Sequence, residues 1–308
     1  MKYSEFLAQP SQRGLPHQWP FVKMHGLENN FVIIDRRPGE KNLTSEDIVR
    51  ICSNNLGVGG EQLLTIESPT EAGKSSGAYA RLRIYNTDST EVGACGNATR
   101  CIAYLLLEET GNDELSLELG SSIVQCKRAG ELAASVTLGP ISMDWQKVPL
   151  SHEVDTLHLP VENGPLKDGV GLYIGNPHAV FFVDNLDGVD MSEVAPPIHH
   201  SSLFSEGANV GAAEIVDDQT IRLSVWERQG IVTRACGTGA CVAVYAATKR
   251  GLVSSRKVAV HLPAGKLDIE LIDGDRALMT GPVAFCCYGY IAAGQDTHPT
   301  SRGRDMRA

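Results

Sequence analysis

The chain has 308 residues, 42% of them apolar, and a formal net charge of −10. That length is long for one hydrophobic core and points to about two domains. The acidic balance, without any Lys/Arg cluster, excludes a non-specific nucleic-acid binder. No apolar run reaches the roughly 18 residues of a spanning helix, and no basic-then-apolar N-terminus is present, so the expectation is a cytoplasmic protein with a small-molecule ligand and no membrane or nucleic-acid partner.

In chain order, residues 1–18 mix Gln, Ser, Pro and Gly without periodicity and read as a loose arm. From Pro20 the pattern turns to strands, with Phe31–Asp35, Leu63–Ile66 and Leu82–Tyr85 as candidates. Between the first two, Thr44 and Asp47 have the spacing of a capping box, and Ile48, Val49, Ile51 and Cys52 supply an apolar helix face. Ala94-Cys95-Gly96-Asn97 then opens an Ala/Leu-rich run that stops at Gly111.

After Gly139-Pro140 the order of signals restarts. His25–Asp35 aligns with Ile174–Asp184, and Ala235-Cys236-Gly237-Thr238 opens a second Ala-rich run that stops at Gly251, with Lys249 and Arg250 suited to its last turn. Asn86 stands as far before Cys95 as Glu227 stands before Cys236. The pattern predicts two strand-rich units, each built around one central helix, with both helix N-termini facing a common cleft. The last strand-like segment, Ala284–Ile291, is placed to return to the first unit.

A glycine directly after a cysteine at a helix start lets backbone N–H groups approach an anion closely. The same amides favour a thiolate, drawing a pKa that starts near ~8.5 towards neutrality. Two such thiols on opposite sides of a carbon atom answer a definite chemical need. Inverting a stereocentre removes a proton from one face and delivers another to the opposite face, which one fixed base cannot do. Amides on the substrate carboxylate would offset the developing enolate charge at about 3 kcal/mol per donor.

Other readings remain open at this point. A zinc site from Cys95/Cys101 and Cys236/Cys241 has ligands spaced more widely than is usual, and a thiol redox role lacks a Cys-x-x-Cys. Of the eight cysteines, Cys52, Cys101, Cys126, Cys241, Cys286 and Cys287 sit among apolar neighbours and read as buried free thiols, with no disulfide framework.

Taken together, Lys23–Phe31, Asn86-Thr87-Asp88, Ala94–Asn97, Gly175-Asn176-Pro177-His178, Trp226-Glu227-Arg228 and Ala235–Gly239 closely resemble the diaminopimelate epimerase family, from about Phe21 to Ile291. The resemblance implies an α+β fold of two pseudo-symmetric domains, each a curved mixed β-sheet wrapped around a central α-helix. It divides the chain into an arm (1–18), an N-terminal epimerase domain (19–140, plus a returning strand at about 283–293), a C-terminal epimerase domain (141–282) and a tail (294–308). It implies an amino-acid epimerase of lysine and peptidoglycan precursor synthesis that needs neither pyridoxal phosphate nor metal, interconverting LL- and meso-2,6-diaminopimelate, and a homodimer. Cys95 and Cys236 would be the acid/base pair, and Asn29, Gln62, Asn86, Gly96, Asn97, Asn176, Asn209, Glu227, Arg228, Gly237 and Thr238 the substrate-binding residues.

A related racemase of histidine, proline or hydroxyproline is the nearest alternative, and Glu227 with Arg228 speaks for a second zwitterionic end instead. The chain departs from the family pattern at Glu28, where a glycine is usual, at Asn30 and Glu61, each in place of an aspartate, at Ala98 in place of a glycine, and across Gln229–Val232, where an acidic residue is lost. These departures bear on loop closure and rate more than on reaction type.

Overall fold

Two helices, each opened by a cysteine, organise the computed structural model, which describes residues 3–7, 18–38, 43–228 and 230–292. The first half runs α1 (Tyr3–Leu7), β1 (Gln18–Gly26), β2 (Asn29–Asp35), α2 (Ser45–Cys52), β3 (Gln62–Glu67), α3 (Glu71–Ser75), β4 (Ala80–Asn86), β5 (Glu91–Val92), α4 (Gly96–Thr110), β6 (Glu114–Leu119), β7 (Ser122–Arg128) and β8 (Ala133–Leu138). The second runs β9 (Val170–Tyr173), β10 (Pro177–Phe182), a 3-10 turn at Leu186–Gly188, α5 (Met191–His199), β11 (Asn209–Asp217), β12 (Thr220–Glu227), β13 (Ile231–Thr233), α6 (Gly237–Lys249), β14 (Lys257–Leu262), β15 (Gly265–Ile272) and β16 (Arg276–Pro282). A last strand, β17 (Ala284–Ala292), follows.

The halves repeat one topology. β2 lies parallel to β3 as β10 does to β11, β3 antiparallel to β4 as β11 to β12, and β4 parallel to β6 as β12 to β14. Each half closes with two antiparallel steps, β6-β7-β8 and β14-β15-β16. The halves join where β8 pairs with β16, from Leu138 opposite Ala277 to Ala133 opposite Pro282. β17 crosses back to pair with β1. The α+β architecture of mixed sheet around central helices is as the sequence pattern and the resemblance anticipate.

Each central helix is apolar on nearly every side, as a helix enclosed by sheet must be. Gly96–Ala103 and Leu105–Leu107 of α4 and Gly237–Ala247 of α6 are buried. The three consecutive leucines of α4 each contribute about 1.5–3 kcal/mol by leaving water. α4 stops at Gly111, whose φ of 71° is left-handed and costs glycine nothing. Both helices pack into one continuous core, while α2 and α5 cover the outer faces of their halves with smaller apolar clusters. The anticipated capping box at Thr44 and Asp47 is present and starts α2.

Part of the segment read as a loose arm is packed. In α1, Phe6 and Leu7 are buried and Tyr3 stacks on Phe285 at 3.8 Å. The rings that hold it, Phe285, Tyr288 and Tyr290, lie on β17 at the other end of the chain, so no local pattern could announce the contact. Residues 8–17 and the tail 294–308 lie outside the described residues. Among the described residues no helix is long and apolar enough to cross a membrane.

Candidate active site

Cys95 and Cys236 are the N-caps of α4 and α6, each in extended backbone (φ −152° and −125°). The unsatisfied N–H groups of both first turns therefore open on one cavity of about 700 Å³ between the halves. Every site residue named from the sequence lines it: Cys95 and Cys236 with Asn29, Gln62, Asn86, Gly96, Asn97, Asn176, Asn209, Glu227, Arg228, Gly237 and Thr238. The strand ends explain the convergence. Asn29, Gln62 and Asn209 are the first residues of β2, β3 and β11, and Asn86 and Glu227 the last of β4 and β12.

Amides surround Cys95. Its thiol donates to Asn29 Oδ1 at 3.7 Å, which also accepts from Asn97 Nδ2 at 3.3 Å. Asn97 Nδ2 lies 3.4 Å from the carbonyl of Ala235 in the second half. Asn29 Nδ2 donates to Glu61 at 2.6 Å, and Asn30 donates to the same carboxylate at 2.9 Å. The two departures at 30 and 61 thus fit each other, since an amide at 30 can donate to the carboxylate at 61. Gln62 Nε2 donates to Asn86 Oδ1 at 3.0 Å.

Around Cys236 the partners include titratable groups. Its sulfur accepts from the Gly239 N–H at 3.3 Å and lies 3.5 Å from the Thr238 hydroxyl. That hydroxyl is 3.2 Å from Nε2 of His178, a buried ring that also meets Asn176 Oδ1 at 3.0 Å and Asn209 Nδ2 at 3.3 Å. Asn209 Oδ1 in turn accepts the Arg228 N–H at 2.9 Å. Glu227 lines the same cavity beside Thr233 and Cys236.

Burial governs the protonation of these groups. It pushes Cys95 up to about 11, and it pushes Cys236 higher still, with the Glu227 carboxylate adding to the rise. Burial also raises Glu227, and it lowers His178 to about 3, aided by the Arg228 charge. The sequence-based expectation of thiols drawn towards neutrality by helix amides is therefore corrected. The amides of Asn97, Ala98 and Gly239 do act in that direction, but loss of water outweighs them.

The glycines after the cysteines also serve a purpose that the sequence does not disclose. A Cβ on Gly96 would stand 2.5 Å from Met279 Cε and one on Gly237 2.8 Å from Met279 Sδ. The side-chain positions of both point at one methionine of β16, so close packing of the two helix starts requires glycine there. Glu28 stands in a left-handed turn with Leu27 (φ 66° and 52°), which accounts for the glycine usual at that place. Its carboxylate crosses to Arg234, just ahead of Cys236. Of the Gln229–Val232 stretch, Ile231 lines the cavity and Val232 is exposed, while Gln229 lies outside the described residues.

Elsewhere, Cys52, Cys101, Cys126 and Cys241 are buried as expected, but Cys286 and Cys287 are exposed because β17, which among the described residues pairs with β1 alone, turns much of its surface outward. All eight cysteines are free thiols. Among the described residues no three His, Cys, Asp or Glu side chains converge to hold a metal ion. Sequence reasoning left three residues without a role. His178 had a signal in Gly-Asn-Pro-His and Glu61 one in its departure from pattern, whereas Met279 had none.

The sequence profile of the family described as "Diaminopimelate epimerase" matches residues 21–143 and 170–286. A diaminopimelate epimerase of Rhodospirillum centenum is 39% identical over 272 residues, 88% of this chain and 92% of that protein. One from Erythrobacter litoralis is 42% identical over 265 residues, 86% and 94% of the two. Among solved structures, a hydroxyproline epimerase from Agrobacterium vitis superposes with a TM-score of 0.63 at 15% identity, covering 92% of this chain and 95% of that one. A PhzF-family phenazine biosynthesis protein of Bacillus anthracis does so with 0.62 at 16%, covering 90% and 99%. These two likenesses speak for the fold alone.

Proposed function

This chain belongs to the diaminopimelate epimerase family and is by that membership an isomerase, and we propose that it interconverts LL- and meso-2,6-diaminopimelate with Cys95 and Cys236 as a thiolate and thiol pair. The observation that carries this reading is one cavity lined by two cysteine-capped helix starts, one from each half. One thiolate takes the α-proton from one face as the opposite thiol delivers its own to the other. The cysteines exchange protonation states, and no proton is gained or lost overall.

Gly96, Asn97, Gly237 and Thr238 hold the reacting carboxylate and ammonium at the helix starts, where backbone donors favour an enolate-like charge. Arg228 and Glu227 suit the carboxylate and ammonium of the distal end, with Asn29, Gln62, Asn86, Asn176 and Asn209 as neutral partners. Burial holds both thiols well above neutrality and so opposes the thiolate, and the substrate's ammonium, entering beside a thiol, shifts the balance towards its thiolate form. The chemistry asks for no pyridoxal phosphate and no metal. The wider proposal places the enzyme in the cytoplasm, in lysine and peptidoglycan precursor synthesis. It assigns 19–140 with about 283–293 to one epimerase domain and 141–282 to the other, and it has the chain assemble as a homodimer. Among the described residues β17 pairs with β1 alone, and its exposed Tyr288 supports that last point.

The test is deuterium incorporation at the α-carbon of LL-diaminopimelate in heavy water, with proline, hydroxyproline and histidine as comparators. The wild-type chain exchanges and inverts diaminopimelate, and C95S and C236S each slow turnover by about 10²–10⁴-fold. No exchange on diaminopimelate from mildly acidic to mildly alkaline pH, or unaltered turnover in either variant, would sink the assignment.

A further inference from the structure

Arg100 is the largest side chain that the fold buries completely. It lies on α4, and helical side chains lean back towards the N-terminus, so its guanidinium reaches for the first turn. There it fills a slot between the halves. A Cβ on Gly26, at the end of β1, would stand 3.0 Å from Nη2, and one on Gly281, in β16, 3.1 Å from Nε. Nη1 donates to the Met279 sulfur at 3.5 Å, the same sulfur that lies against Gly96 and Gly237. One sulfur atom thus separates the guanidinium from the backbone of both cysteine-capped helix starts. Nε and Nη2 have no hydrogen-bond partner among the described residues.

A fully buried guanidinium without a carboxylate is expensive, and setting it beneath the positive ends of two helices adds to the cost. If shape alone were needed there, an apolar side chain of similar volume would serve at least as well. We propose that Arg100 is the buried counter-charge of the site, a cation kept unpaired by the protein so that it holds the negative charge of the Cys95 thiolate from beneath. This rests on the thiolate/thiol reading of the cavity and adds a residue that acts through the helix starts without touching substrate.

The surroundings fit that role. The titratable groups facing Arg100 are the thiols of Cys95 and Cys101 on its own helix and Cys241 on α6. The adjoining parts of β1 and β16 bring Gly26, Met279 and Gly281 and no carboxylate. Arg100 favours the thiolate at each of the three cysteines, but Cys101 and Cys241 lie in the apolar core and only Cys95 lines the cavity. The opposing group is Glu227, whose carboxylate disfavours a thiolate at both Cys95 and Cys236. Arg100 is the fixed charge that offsets it.

The experiment compares wild type, R100M and R100K by the rate of Cys95 carbamidomethylation with iodoacetamide across pH, read by mass spectrometry, together with thermal melts. Cys286 and Cys287, exposed on β17, serve as reference thiols in every sample. In R100M the Cys95 profile moves to higher pH by about one unit or more, so its labelling near pH 8 falls about tenfold, while R100K stays close to wild type and R100M melts no lower. Coincident profiles for wild type and R100M, equal displacement of R100M and R100K, or a chain unfolded by R100M would each overturn the proposal. Labelling needs no substrate, so failure here is distinguishable from failure of the epimerase reading, which turnover on diaminopimelate tests separately.

Discussion

The two halves of the molecule repeat a backbone and differ in what they present from it. In the first, the cysteine is half-buried among Asn29, Gln62, Asn86 and Asn97, all neutral amides. In the second, the cysteine is 6% exposed and its neighbours include His178, Glu227 and Arg228. Equivalent places hold unlike groups, with Phe31 standing where the repeat has His178, and Asn86 where it has Glu227. The difference teaches that the halves place their sulfurs alike while the nearest groups differ, neutral amides touching the first thiol and titratable side chains gathering around the second.

The comparison breaks first at the charged end. Arg228→Gln should raise KM for diaminopimelate by about 100-fold, against about tenfold or less for Asn86→Ala, because a charge-assisted hydrogen bond is worth more than a neutral one. Equal penalties, measured by initial rates, would show that the halves do not divide the work as described.

A second test uses what the halves share. Alanine normally suits a helix better than glycine, yet Gly96→Ala and Gly237→Ala should each cost about 1–3 kcal/mol in denaturant melts, since both push a methyl into Met279. The loss should shrink when Met279 is shortened to Val. Strict additivity of the two changes would mean that the helix starts do not meet at that side chain.

The smallest effect separates His178 from Asn29. Folding holds His178 down at about 3 from an ordinary 6.5, so between those values the unfolded chain binds a proton that the folded chain refuses. Stability is therefore lost as pH falls below 6.5, by about 2 kcal/mol at pH 5 from this ring. H178Q should lack that share of the decline, and Asn29→Ala should keep it. Urea melts of the three chains at pH 7 and pH 5 decide the matter, and an unchanged slope in H178Q would contradict the burial argument.

These contrasts also mark what the sequence could reveal. α4 and α6 were legible because an apolar run between a cysteine cap and a glycine stop has few other uses, and the repeated strand signals exposed the two-unit plan. α5 was not, since Pro196 and Pro197 inside it read as a break, and it survives on burial of Met191, Ala195 and Ile198. β5 and β13, of two and three residues, are too short for any periodicity. At the site, the residues next to motif cysteines could be named, but Met279 and the closeness of Arg100 to both helix starts depend on β16 meeting α4 and α6 across the seam. Such contacts join residues far apart in sequence and leave no local pattern.

The return of β17 to β1 gives the chain a timetable. Gln18 pairs with Ala292, and the rings of α1 rest on Phe285, Tyr288 and Tyr290. A ribosome delivers the early strands long before the strand that flanks them, so the first half emerges with an open edge and must wait for the second to be translated. The first side of the cavity is therefore completed only once β17 has been made, and a nascent chain released before that strand lacks a finished copy of the side that was made first.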